Sequence, residues 1–153
     1  MSPIKIWGNH TWIFFHVLVS KLKNDKGENL EILGQTFSMI KNICINLPCP
    51  ICATHAKDFL SKIQLNEIKT KEDLINLMYC FHNTVNKRKK KTIFKYEDLK
   101  PYEKYNLAVS FNNFAQAYNT KGDIKNISES FYRTRLLGEL KKWLVVNKNH
   151  FAN

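Results

Sequence analysis

Leu47-Pro48-Cys49-Pro50-Ile51-Cys52-Ala53-Thr54-His55 sets two thiols three residues apart, directly after a proline break. A helix interior cannot accommodate Pro48 and Pro50, because proline has no amide hydrogen and restricts the residue before it. Pro50 does suit the first position of a new helix, where no amide is needed. Cys49 then caps that helix, which carries Cys52, Ala56, Phe59 and Ile63 on one stripe. The stretch therefore reads as a boundary between two helices, with a C-x-x-C at the start of the second. Thiols at this spacing are either a redox pair or half a metal site.

Upstream, Leu30, Leu33, Phe37, Ile40 and Ile43 recur at helical spacing and stop before Pro48. Ahead of them a first helix opens at Trp12 and continues to about Leu22, where Asn24-Asp25-Lys26-Gly27-Glu28-Asn29 turns the chain. Downstream, Thr70-Lys71-Glu72-Asp73 resembles a capping box, and Leu74, Leu77, Met78, Phe81, His82 and Val85 give a fourth helix its apolar face. That helix runs out in Lys87-Arg88-Lys89-Lys90-Lys91, cations at a C-terminus where the macrodipole favours them. Phe94 to Lys100 reads as a short extended or turn segment. Two amphipathic stretches follow, 101–119 and 127–147, separated by Thr120-Lys121-Gly122-Asp123. The expectation is an all-α protein: a four-helix bundle over residues 1–100, and a further C-terminal pair of helices over 101–153 packed on the same domain.

Composition agrees with a single core. The chain has 153 residues, 44% of them apolar, with five glycines and four prolines, which excludes disordered and collagen-like classes. Its 24 Lys and Arg against 13 Asp and Glu leave a formal charge of +11, a balance suited to nucleic acid, an anionic membrane surface or an anionic ligand. No run reaches the ~18 consecutive apolar residues of a bilayer span, and Met1 to Gly8 shows no signal-peptide pattern. A non-exported protein with no membrane span is expected. Four cysteines (Cys44, Cys49, Cys52 and Cys80) are too few for a disulfide scaffold in a chain of this size. For Cys44 and Cys80 the plain reading is a buried free thiol on a helix.

Three constellations bear on chemistry. At the C-x-x-C, the helix N-terminus stabilises a thiolate on its first turn and makes Cys49 the attacking sulfur. The rival is zinc, with Cys49, Cys52, His55 and His82 as ligands of the right kind, although the histidines are scattered singly rather than paired. Gly8, Trp12 and His16, spaced four apart, share one helical face: glycine permits close approach, tryptophan offers a stacking surface and histidine a hydrogen bond. By themselves a Trp and a His on such a face are ordinary core residues. Lastly, His82 and Asn86 intrude as i,i+4 neighbours into an apolar stripe, and buried polar groups need partners that a ligand can supply. The basic run beyond them suits a phosphate or pyrophosphate. Read alone, that run is a solvated charged tail, with a basic nucleic-acid-binding bundle as the rival reading.

Taken together, Trp7-Gly8-x-x-x-Trp12-x-x-x-His16, Leu47-Pro48-Cys49-Pro50-Ile51-Cys52-x-x-His55-Ala56 and His82-Asn83-Thr84-Val85-Asn86-x-Arg88-x-x-Lys91 resemble the FAD-dependent sulfhydryl oxidases of the Erv/ALR type. The form is most similar to versions carried by large cytoplasmic DNA viruses such as African swine fever virus and the poxviruses, and the resemblance covers about residues 5–100. It implies FAD as cofactor, bound by Gly8, Trp12, His16, His55, Phe59, His82, Asn83, Val85 and Asn86, with Lys91 and Arg88 near the pyrophosphate. Cys49 and Cys52 would be the catalytic residues, with Cys49 exchanging with substrate and Cys52 against the flavin. Thiols would then become disulfides while O₂ becomes hydrogen peroxide. No metal, nucleic acid or membrane is implied.

Relatives of this type commonly have a second, shuttle C-x-x-C and a structural disulfide after the fourth helix. This sequence has neither, since no cysteine follows Cys80. A small dithiol, thioredoxin-like protein is therefore the expected electron source. A homodimer through the first helices is expected too, with Phe14, Phe15 and Val19 as candidate exposed contacts, and the host cytoplasm or the virion as location.

Overall fold

The computed structural model of the protein describes residues 4–23, 30–119 and 127–152, which form six α-helices. They are α1 (Ile4–Lys21), α2 (Leu30–Ile45), α3 (Pro50–Ser61), α4 (Lys71–Arg88), α5 (Leu107–Tyr118) and α6 (Ile127–Val146). The turns expected at 24–29 and 120–123 lie outside the described residues. The first helix starts earlier than its apolar run suggests, at Ile4 rather than Trp12, and the added turns bring Trp7 and Gly8 into it.

Caps set the boundaries. Pro50 occupies the first turn of α3, and Cys49 precedes it in extended conformation (φ −127°) as the capping residue. Before α4, the Thr70 hydroxyl accepts from the Asp73 amide (3.1 Å), and the Asp73 carboxylate accepts from the amides of Lys69 (2.9 Å) and Thr70 (3.0 Å). The Lys69 amide is the main reason the Asp73 carboxyl is held below its ordinary range.

Between α4 and α5 the structure differs from the expected extended segment and from the expected helix beginning at 101. Residues Tyr96–Lys104 form a run of 3-10 turns instead, opened by the Asp98 carboxylate accepting from the Lys95 amide (2.9 Å) and containing Pro101. α5 starts afresh at Leu107, because Asn106 caps it with an acceptor for the Val109 amide at 2.9 Å.

The central element is α1. Every residue from Phe14 to Val19 is buried, a pattern with no solvent face. α4, the 3-10 segment and α5 all pack against it. Phe14, Phe15 and Val19, expected as exposed dimer contacts, are buried to 0–1% exposure. The reason is α5: Phe14 stacks on Phe114 (ring centroids 4.9 Å apart, 13° between planes) and meets Phe111 edge-on at 5.7 Å. Burying such a ring stabilises the fold by roughly 2–3 kcal/mol, so α5 is integral to the core. α6 packs on α2, where the Trp143 indole donates to the Gln35 side chain at 2.8 Å. The chain end returns to α1: the Lys23 amide donates to the His150 carbonyl (2.9 Å) and the Ala152 amide to that of Lys21 (2.6 Å). No described helix is long and apolar enough to cross a membrane.

Candidate active site

A disulfide joins Cys49 to Cys52, whose Cα atoms are 5.2 Å apart. The geometry follows from the cap: the Cys52 amide donates to Cys49 Sγ at 3.3 Å, so sulfur does for α3 what a Ser or Asp oxygen does elsewhere. The same position stabilises Cys49 as a free thiolate after the bond has opened, because an amide and the helix N-terminus face it.

Cys52 lines a cavity of about 180 Å³ walled by α1, α3, α4 and the end of α2. From the expected site residues, Gly8, Trp12, His82, Val85, Arg88 and Lys91 line it as well. Trp12 lies flat on His82 (4.1 Å, 7°) and edge-on to Phe81 (4.9 Å), which in turn stacks on Phe59 (5.0 Å, 14°). Cations rim one side. Their placement comes from the way α4 ends: Lys90 adopts a left-handed conformation (φ 56°), the Lys90 amide donates to the Lys87 carbonyl (3.2 Å), and the Lys91 amide to that of Asn86 (2.8 Å). This reversal is a Schellman turn with lysine where glycine is usual, and it returns Lys91 to the cavity beside Arg88 and Lys89. Burial, then Lys91 and Arg88, push the Lys89 ammonium below its usual range. A bound anion would relieve that crowding.

Other expected residues stand behind the wall or away from it. His16 is buried and bonds through Nε2 to His82 Nδ1 at 2.9 Å, with its ring against Tyr102 (4.8 Å, 24°). One imidazole donates and the other accepts, an arrangement two neutral rings can make. Burial, then His82, lowers His16 to about 3; burial, then Lys91, lowers His82 to about 4. Asn83 clamps the backbone after α4, its amide nitrogen donating to the Phe94 carbonyl (3.0 Å) and its oxygen accepting from the Phe94 amide (3.2 Å). Asn86 is buried and donates to that same oxygen at 3.5 Å. His55 is exposed on α3.

The four zinc candidates do not gather: Cys49 and Cys52 are joined, His82 is committed to Trp12 and His16, and His55 faces solvent. Among the described residues no cluster of three or more His, Cys, Asp or Glu is placed to hold a metal.

Sequence reasoning missed Trp7, Phe81, Lys89 and Cys44 as cavity residues. The Trp7-Gly8 opening was the available signal for the first. Cys44 is buried as expected, and burial raises its thiol far above the ordinary range. Cys80, expected to be buried, is exposed, because α4 turns Asn76, Cys80, Thr84 and Lys87 outward together. Flat aromatic walls, a cationic rim and a disulfide sulfur in one cavity fit a planar redox group bearing phosphates, and FAD is such a group.

Fold and site thus define a helical-bundle thiol–disulfide redox protein. The chain belongs to the Erv1 / Alr family, whose profile matches residues 9–106. It is 30% identical over 94 residues to the FAD-linked sulfhydryl oxidase of African swine fever virus (isolate Tick/Malawi/Lil 20-1/1983), covering 61% of this chain and 76% of that protein. A probable FAD-linked sulfhydryl oxidase of fowlpox virus is 36% identical over 81 residues, 53% of this chain and 73% of that one. A putative FAD-linked sulfhydryl oxidase of invertebrate iridescent virus 3 is 28% identical over 85 residues, covering 55% of this chain and 56% of that protein. No solved structure matches the chain. Helices α5 and α6 fall beyond the family match.

Proposed function

We propose that Cys49–Cys52 is the redox centre of this FAD-linked sulfhydryl oxidase, with Cys49 as the entry sulfur and Cys52 as the exit. The observation that carries the assignment is the asymmetry of the pair: Cys52 lines the aromatic cavity, whereas Cys49 caps α3 and does not. A substrate thiolate attacks Cys49 Sγ, the Cys49–Cys52 bond breaks, and Cys52 departs as a thiolate in the cavity wall. A second substrate thiolate attacks the substrate sulfur of the mixed disulfide. Substrate leaves oxidised, and the Cys49 thiolate is received by the Cys52 amide and the α3 N-terminus. Oxidation of two thiols yields two electrons and two protons, the same two protons that hydrogen peroxide carries when O₂ is the final acceptor. FAD, when bound, supplies the acceptor for that electron pair and its transfer to O₂ as hydrogen peroxide.

Trp12, Gly8, His82 and Val85 would hold the cofactor's rings and Arg88 and Lys91 its phosphates. His16, Phe59, Asn83 and Asn86 would support that wall through His82, Phe81 and Phe94, and His55 is retained beside the cavity-lining Ala56. Residues 1–100 are the oxidase bundle on this reading, and 101–153 an extension packed on it. The proposed substrate is a small dithiol protein that delivers its thiols to Cys49 directly. A homodimer belongs to the proposal, but on a surface other than Phe14, Phe15 and Val19; exposed Phe131, Tyr132, Val145 and Val146 on α6 supply apolar area. Action in the host cytoplasm or virion, as a late viral protein, accords with the viral source of the similar proteins.

Trapping tests the polarity. Offered substrate in its disulfide form, Cys52→Ser should accumulate a mixed disulfide, the Cys49 thiolate attacking and one substrate thiolate leaving, while Cys49→Ser should accumulate none; with reduced dithiothreitol both should stop oxygen consumption. Trapping in Cys49→Ser alone would reverse the assignment.

A further inference from the structure

Helix α5 reaches the redox loop from outside the family match. α2 ends at Ile45, and only Asn46, Leu47 and Pro48 separate it from Cys49. The carbonyls of Ile43 and Asn46, which close the last turn of α2, both accept from the Tyr118 hydroxyl, at 2.9 and 3.0 Å. One hydroxyl has one hydrogen, so this is a three-centre bond that ties the two carbonyls to a single point. Tyr118 has no exposed surface, and its ring stacks on Phe114 (4.9 Å, 27°), which stacks on Phe14 of α1. The hydroxyl is thus held by the α1–α5 core rather than by the loop it contacts. Burial raises the phenol far above its ordinary range, which keeps it a donor.

Beyond the pinned Asn46 the chain has little freedom before the catalytic sulfur. Pro48 fixes its own φ and restricts Leu47, and Pro50 starts α3. The extended backbone that makes Cys49 the cap of α3 depends on where the chain enters, and Tyr118 sets that point.

We infer that Tyr118 is a positioning residue for the redox pair: its hydroxyl, delivered by α5, anchors the end of α2 so that Cys49 stays in capping geometry against Cys52. The inference rests on the assignment of Cys49–Cys52 as the redox centre. Without the hydroxyl the loop is freer and the dithiol gains relative to the disulfide.

The test is thiol–disulfide exchange of the full chain with a glutathione redox buffer, read by alkylation of Cys49 and Cys52 and independent of flavin turnover. Tyr118→Phe should shift the equilibrium about fivefold toward the dithiol, the effect of one lost buried hydrogen bond, which corresponds to about 20 mV for a two-electron couple. Phe114→Leu, which removes the ring supporting Tyr118, should move it less and in the same direction. Trp143→Phe breaks the Gln35 bond, ten residues before Ile45, and should lower thermal stability without moving the equilibrium. An unchanged equilibrium in Tyr118→Phe, or an equal shift in Trp143→Phe, would overturn the inference. Persistence of thiol oxidation in Cys49→Ser would instead overturn the redox assignment beneath it.

Discussion

The buried His16–His82 pair should make the protein acid-sensitive well above the pH at which carboxylates titrate. Both rings are neutral in the folded state, with values lowered from 6.5 to about 3 for His16 and about 4 for His82, chiefly by burial. The unfolded chain binds protons at these rings that the folded chain does not, so stability from this source is complete above 6.5. It is lost as the pH falls and is exhausted near the folded values. At about pH 5 the linkage amounts to roughly 2 kcal/mol for each ring, a large share of a total that is ordinarily about 5–15 kcal/mol. Urea unfolding followed by far-UV circular dichroism at about pH 7.5 and pH 5 measures the difference directly. His16→Gln keeps a neutral group able to bond His82 and removes one titrating ring, so the loss between the two conditions should fall by about half. Equal wild-type stability at both values, or an undiminished loss in His16→Gln, would refute the reasoning.

Lys90→Gly should stabilise the protein by about 1 kcal/mol, because the left-handed conformation at the end of α4 favours glycine; the denaturant midpoint checks this, and Lys91 should keep its place at the cavity. In the native, oxidised protein Cys80 should react with maleimide quickly and Cys44 only on unfolding, since one is exposed and the other buried; mass spectrometry of the labelled chain counts the additions. Trp12→Ala removes the ring stacked on His82 and should weaken flavin retention about tenfold or more, measured by flavin fluorescence released on ultrafiltration.

Much of this architecture can be read locally. Pro48, Pro50 and the Thr70/Asp73 box mark the ends of α2 and the starts of α3 and α4 through chemistry confined to a few residues. The relations that escape are those in which a distant segment decides. The apolar run Phe14–Val19 says that α1 is covered, but nothing in it names α5 as the cover. The pairing of Phe14 with Phe111 and Phe114 spans about a hundred residues of sequence. Pro101 looked compatible with a helix onset, whereas the cap at Asn106 fixes the true start of α5. At the site, Trp12, His82 and Cys52 were legible through the co-occurrence of three motifs, since a Trp and a His on an apolar face are by themselves ordinary core residues. The motif also included Asn83, but nothing local to it says that its side chain serves the Phe94 backbone. Cys80 escaped because one residue's displacement around α4 turns a thiol from the core to solvent.

The central assignment, that electrons enter at Cys49 and leave through Cys52 to the flavin, is tested most directly by anaerobic reduction of the flavin-loaded protein with dithiothreitol. Loss of the visible flavin absorbance is the readout. The wild type should bleach at the rate at which thiol is oxidised, and Cys49→Ser and Cys52→Ser should each retain the absorbance over the same period. Bleaching of either variant at the wild-type rate would show that electrons reach the flavin by another path and would contradict the assignment.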